Sequence, residues 1–154
     1  MGGDMAIRFE RPEIDFLILA DRAEAVNGKL YMMGGGWDRL TILDFAQPVG
    51  INLAIGVLVP WNDTNEPLPL TIWIEDQDFN KITPELTAMV SVGRPPNAVK
   101  GQTFRAIIAV QNAWKLPGPG TYLVKVTVPE GKRIAKFYAL TPDGTQSLPP
   151  PQES

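Results

Sequence analysis

The chain contains no cysteine and no histidine. Without cysteine there is no disulfide scaffold, no thiolate metal site and no thiol nucleophile. Without histidine there is no imidazole general base, no Ser-His-Asp triad and no His-ligated zinc or iron. No cofactor and no metal are expected. Long hydrophobic runs are missing as well. The early apolar segment 14–20 is interrupted by Asp15, is followed by Asp21 and falls far short of the roughly 18 apolar residues that a membrane-spanning helix needs. Excess positive charge is also absent, with 14 Lys+Arg against 17 Asp+Glu and a formal net charge of -3. That balance argues against a non-specific nucleic-acid binder. A soluble, cytoplasmic protein that engages neither membrane nor nucleic acid is the expectation.

What the chain does have is turns and alternation. Its 154 residues suit one domain, its 44% apolar content suffices for a core, and its 14 Gly and 15 Pro favour many turns over long helices. Leu68, Leu70, Ile72 and Ile74 alternate with Thr71, Trp73 and Glu75, the period-2 pattern of a half-buried strand. The same pattern recurs at 86–92, 104–110 and 121–128. Segment 49–61 carries seven same-parity apolar residues, from Val49 through Ile51, Leu53, Ile55, Val57 and Val59 to Trp61. It reads as a central strand whose small opposite face bends or lies under a covering segment. Segments 14–20, 29–33, 37–43 and 133–140 complete the set, and 21–26 reads as one helical turn. Asn27-Gly28 and Glu130-Gly131 are hairpin signals. Gly34-Gly35-Gly36 lacks the Lys-Ser/Thr of a phosphate loop and reads as a glycine bend.

Eight or nine short strands predict an all-β, Ig-like antiparallel β-sandwich, with a small β-barrel as the alternative. The domain is placed at 13–140, behind an N-terminal leader at 1–12. The last residues, 141–154, form a Pro-rich tail of polyproline character.

Candidate chemistry is sparse. Asp63, Glu66, Glu75, Asp76 and Asp78 cluster around one strand, but their spacing fits no Ca²⁺ loop and reads as a solvated rim. A pair such as Asp76 and Asp78 is the most that a His-free carboxylate hydrolase could use. Asn62-Asp63-Thr64 is formally a glycosylation sequon and reads as a loop sequence. Aromatic placement says more. Trp61 continues the core parity of its strand, whereas Trp73 shares a face with Thr71 and Glu75. Ala135, Phe137 and Ala139 make a core face that leaves Ile134, Lys136 and Tyr138 outward. Outward aromatics stack sugars or bury against partner chains. Trp73, Tyr138 and Trp61 are therefore the candidate partner-binding residues.

Several pieces together resemble a family of small, uncharacterised bacterial proteins, a domain of unknown function. They are Phe16-Leu17-Ile18-Leu19-Ala20-Asp21, Asn27-Gly28-Lys29-Leu30-Tyr31, Gly34-Gly35-Gly36-Trp37-Asp38 and Pro60-Trp61-Asn62-Asp63-Thr64-Asn65. Gly93-Arg94-Pro95-Pro96 and Leu116-Pro117-Gly118-Pro119-Gly120-Thr121-Tyr122 continue the resemblance over roughly 13–140. It implies a bacterial origin and a small β-rich domain, and it carries no activity. The expected function is a non-enzymatic binding or assembly module that acts through protein–protein contacts. The expected partner is a second copy, joined through the face of Trp73, or another protein. A carbohydrate-binding module using the exposed aromatics is the alternative, and the carboxylate hydrolase is a third.

Overall fold

Nine strands run through residues 10–144, the residues described by the structure, which is a computed structural model. They are β1 (Glu13–Val26), β2 (Lys29–Gly35), β3 (Arg39–Thr41), β4 (Val49–Val59), β5 (Leu68–Asp76), β6 (Leu86–Val90), β7 (Phe104–Trp114), β8 (Gly120–Val128) and β9 (Gly131–Leu140). Among the described residues there is no α-helix, and no helix is long and apolar enough to cross a membrane. The leader residues before 10 and the tail after 144 lie outside the described residues.

The strands form two sheets, β2-β1-β4-β7 and β3-β9-β8-β5-β6. The sheets do not close on each other, so the chain is a sandwich and not a barrel. The core lies between them. β4 contributes Ile51, Leu53, Ile55 and Val57, each with no exposed surface. Leu70, Ile72 and Ile74 of β5, Val124 and Val126 of β8, and Phe137 of β9 meet them from the other sheet. At the start of β8, buried Tyr122 donates its hydroxyl proton to the Gly118 carbonyl four residues upstream, at 2.6 Å. This is the tyrosine corner of immunoglobulin-like sandwiches.

The small face of β4 is covered, as its composition suggests. A Cβ at Gly56 would collide with the Phe16 ring. Ala54 is fully buried in a second cluster with Ala20 and Ala23, flanked by Phe16, Ile18, Leu30 and Ala109. The hairpin of β1 and β2 supplies the cover. Asn52 and Gln111 side chains donate to the carbonyls of Asp21 and Ala23, at 2.6 and 3.0 Å, and tie the hairpin down.

Several expectations are corrected. Residues 21–26 form no helical turn. They extend β1 and pair with β2 from Arg22↔Met33 to Val26↔Lys29. The Asn27-Gly28 turn (φ 52° and 74°) returns the chain directly alongside, and ladder pairing outweighs the helical preference of Arg, Ala and Glu. The sandwich is also not wholly antiparallel, because β3 runs parallel to β9. After Gly36 (φ 92°) the chain leaves one sheet and joins the edge of the other, pointing the same way as β9. Segment 37–43 shortens accordingly to β3, and 86–92 shortens to β6. Segment 104–110 lengthens to Trp114, whose indole donates to the Ile51 carbonyl at 3.0 Å. Finally, β4 ends at Val59. Pro60 has no N–H for the ladder, so Trp61 does not continue the strand and instead opens a short 3-10 turn, Trp61–Asp63.

Candidate functional site

Strand alternation builds the outer face of the five-stranded sheet. Val124, Val126 and Tyr122 point into the core, so Thr121, Leu123, Lys125 and Thr127 point away. Register then sets Trp73 beside Lys125 and Ile134, Glu75 beside Leu123 and Lys136, and Thr121 beside Tyr138 and Arg39. Trp73 and Tyr138 share this face, as their sequence parity requires. Five cations lie on or at it: Arg39, Lys81, Lys125, Lys132 and Lys136. The carboxylates among them are Glu75, bound to Lys125, and Glu85, bound to Lys81, and the adjoining turn adds Asp76 and Asp78. Five cations against four carboxylates leave this face close to balanced in charge, and both lysines beside Trp73 are paired.

Trp73 is half-buried and held on two sides. Its indole N–H donates to Glu75 Oε2 at 2.7 Å, and Lys81 Nζ lies 4.7 Å from the ring centroid. Lys125 Nζ reaches Glu75 Oε1 at 2.8 Å. Glu75 is itself buried, and the hydrogen bonds from Lys125 and Trp73 hold its carboxyl below the ordinary value near 4.5, against the opposing effect of desolvation. The chain's own segment after β5 thus covers part of Trp73, which is fixed and not a free platform.

The neighbouring turn displays a second aromatic that the sequence pattern does not reveal. Phe79 is 68% exposed and adopts φ 65°, a left-handed conformation uncommon outside glycine and asparagine. Asp76 enforces it. One Asp76 oxygen accepts the backbone N–H groups of Asp78 and Asn80, both at 2.9 Å, and the other accepts Asn80 Nδ2 at 3.2 Å. Those bonds, led by the Asn80 N–H, lower the Asp76 carboxyl below its ordinary value. Lys125 Nζ lies 5.4 Å from the Phe79 ring centroid and links the turn to the Glu75–Trp73 group. The available signal was the spacing Asp76, Asp78, Asn80, typical of a side-chain-braced turn, with an aromatic at its tip. Asp76 and Asp78 therefore belong to one tight turn, and no group of three or more acidic side chains that could hold a metal occurs among the described residues.

Trp61 lies elsewhere. Its ring is 6.2 Å from Phe104 on one side, and the Arg94 guanidinium stands 3.8 Å over it. Arg94 also donates to Thr64 Oγ1 at 2.6 Å and to the Trp61 carbonyl at 2.8 Å. The Pro-Trp-Asn-Asp-Thr-Asn and Gly-Arg-Pro-Pro segments, thirty residues apart, thus meet as one locked loop pair. The structure sets Trp73 and Tyr138 on one face, with Trp73 level with Ile134 and Tyr138 four residues further along β9, and places Trp61 elsewhere, against Phe104 and Arg94. All three rings carry a cation, since Arg39 and Lys136 lie 5.8 and 6.0 Å from Tyr138.

Residues 15–137 match the Family of unknown function (DUF6941), and the chain belongs to that family. The small β-rich domain implied by the sequence resemblance is the domain observed. No curated protein gives a significant match to the chain.

Proposed function

We propose that this protein is a non-enzymatic binding module that docks another protein on the outer face of its five-stranded sheet, around Trp73 and Phe79. The observation that carries the reading is Phe79, a large aromatic held in water in a strained backbone conformation. An apolar ring costs free energy when exposed, and a left-handed Phe costs about 1–2 kcal/mol more. A fold that maintains both has an aromatic ready to be buried by a partner, where aromatic anchors contribute most. Lys132, Lys136 and Arg39, the cations of this face that lie beyond the Lys81–Glu85 and Lys125–Glu75 pairs, favour a partner with an acidic surface.

The test is co-purification of the tagged protein from its producing cells, for wild type, Phe79→Asn and Trp73→Ser. Asparagine tolerates the left-handed conformation, so the turn is kept while the ring is lost. A specific acidic protein should be recovered with wild type, lost with Phe79→Asn and weakened with Trp73→Ser. Equal recovery with all three would reject the surface. Binding of wild type to a glycan array with no protein recovered would instead support the carbohydrate reading.

A further inference from the structure

β7 ends the four-stranded sheet and β6 ends the five-stranded sheet, and four strands cannot cover five. The position opposite β6 is left without a strand. Leu86 and Ala88 of β6 pair with Ile72 and Leu70, whose side chains lie in the core, yet Leu86 and Ala88 stand exposed. The result is an apolar slot one strand wide. Leu86, Ala88 and Val90 form its floor, and the free edge of β7 forms its wall. Beside the end of β7 the slot deepens into a cavity of about 240 Å³ among Pro84, Leu86 and Trp114.

The wall is a backbone open to pairing. Edge strands are normally short, bulged, charged or interrupted by glycine or proline, which prevents pairing with other chains. Three of the four edges here follow that rule. β3 has three residues, β6 has five, and β2 carries Gly34 (φ 60°) and Gly35. β7 does not. It has eleven residues in unbroken register with β4, and from Ala106 to Trp114 it contains no charge, glycine or proline. Every second residue along it turns its N–H and C=O away from β4, toward the vacant position. Its own Ala106, Ile108 and Val110 are packed against the core, so the side chains that would fill the slot must come from another chain.

Charge at the deep end narrows the occupant. Lys115 stands at the cavity, exposed and without an ion-pair partner among the described residues. Among those residues no carboxylate lines the cavity, and Glu85, next to Leu86 in the chain, is bound to Lys81. We infer that β7 accepts an extended peptide of a partner protein as a fifth strand, with an acidic residue at the Lys115 end and an apolar residue at every second position after it. Antiparallel addition, the more stable pairing, sets the amino-terminal end of the peptide at Trp114. The peptide residue opposite Asn112 then enters the cavity. Those opposite Val110 and Ile108 share its face and cover the exposed floor of the slot. Backbone pairing supplies affinity, and the alternate side chains with the acidic end supply selectivity. This side of the sandwich is separate from the face of Trp73 and Phe79, so either reading can fail alone.

The experiment is selection of a random peptide library displayed on phage against the immobilised protein, followed by synthesis of the enriched peptide. Enriched sequences should carry an acidic residue followed by alternating apolar residues. The synthetic peptide should protect alternate amides between Ala106 and Asn112 from hydrogen exchange. Ala88→Glu puts a charge on the slot floor at an exposed position; it should keep the wild-type circular dichroism and abolish binding. Lys115→Glu should weaken binding by about tenfold or more, because it opposes like charges. A selection without enrichment would overturn the proposal. So would enriched peptides that leave β7 exchange unchanged or that bind Ala88→Glu as they bind wild type. A light-scattering mass of two 16.9 kDa chains for wild type and of one for Ala88→Glu would give the slot to a second copy and likewise overturn it.

Discussion

Leu53 shows how directly one residue reports the core. Its alternation partners Ile51, Ile55 and Val57 are, like it, sealed from solvent. Leu53→Ala should lower stability by about 2–5 kcal/mol in denaturant unfolding, the range for a buried leucine that leaves a cavity. Glu75 makes a prediction about pH. Its folded-state carboxyl is held below the ordinary value near 4.5 by Lys125 and Trp73. A depressed carboxylate contributes stability that is present above the ordinary value and lost as pH falls through the lowered one. Wild type should therefore lose stability below about pH 4.5, and Glu75→Gln should flatten that acid limb while lowering stability near neutrality. Melting temperatures across the acid range check both. Tyr122→Phe removes the hydroxyl that satisfies the Gly118 carbonyl, and should cost about 1–3 kcal/mol in the same unfolding assay.

Elements were legible where alternation and turn chemistry agreed. β4, β5, β8 and β9 follow from period-2 runs, and the Asn27-Gly28 hairpin from the two positive φ angles that its turn demands. Residues 21–26 were not legible, because Arg, Ala and Glu favour a helix locally and only pairing with β2 makes them a strand. Trp61 misled because apolar parity continues past Val59, while Pro60 silently ends the ladder. Phe79 was missed because a lone aromatic in a polar turn has no periodicity; only the hydrogen bonds of Asp76 show that it is displayed. The pairing of Trp61 with Arg94 is equally invisible from spacing, since it joins two loops across thirty residues. Arg94 acts there as both a fork and a stacked plane, which lysine cannot reproduce. Arg94→Lys should cost about 1–2 kcal/mol by thermal unfolding, within the range for a partly desolvated cation–π contact.

At the scale of the molecule, the two sheets and their shared core followed from composition and pattern, but the placement of function did not. The sequence brought out Trp73, Tyr138 and Trp61 as separate aromatics. The fold sets the first two on one outer face, adds Phe79 beside Trp73, and places Trp61 in a loop against Phe104 and Arg94. With no cysteine or histidine in the chain, and Asp76 engaged by its own turn, the melting temperature should be unchanged by EDTA. A drop of several degrees would show that a cation is bound. The central claim, that the face around Phe79 holds another protein, is tested most directly by photo-crosslinking in the producing cells. A photoreactive phenylalanine at position 79 keeps the ring in place, and the same group at exposed Val99 serves as control. The account predicts one discrete adduct with an acidic protein from position 79 and none of that kind from position 99. No adduct from position 79, or the same adducts from both positions, would contradict it.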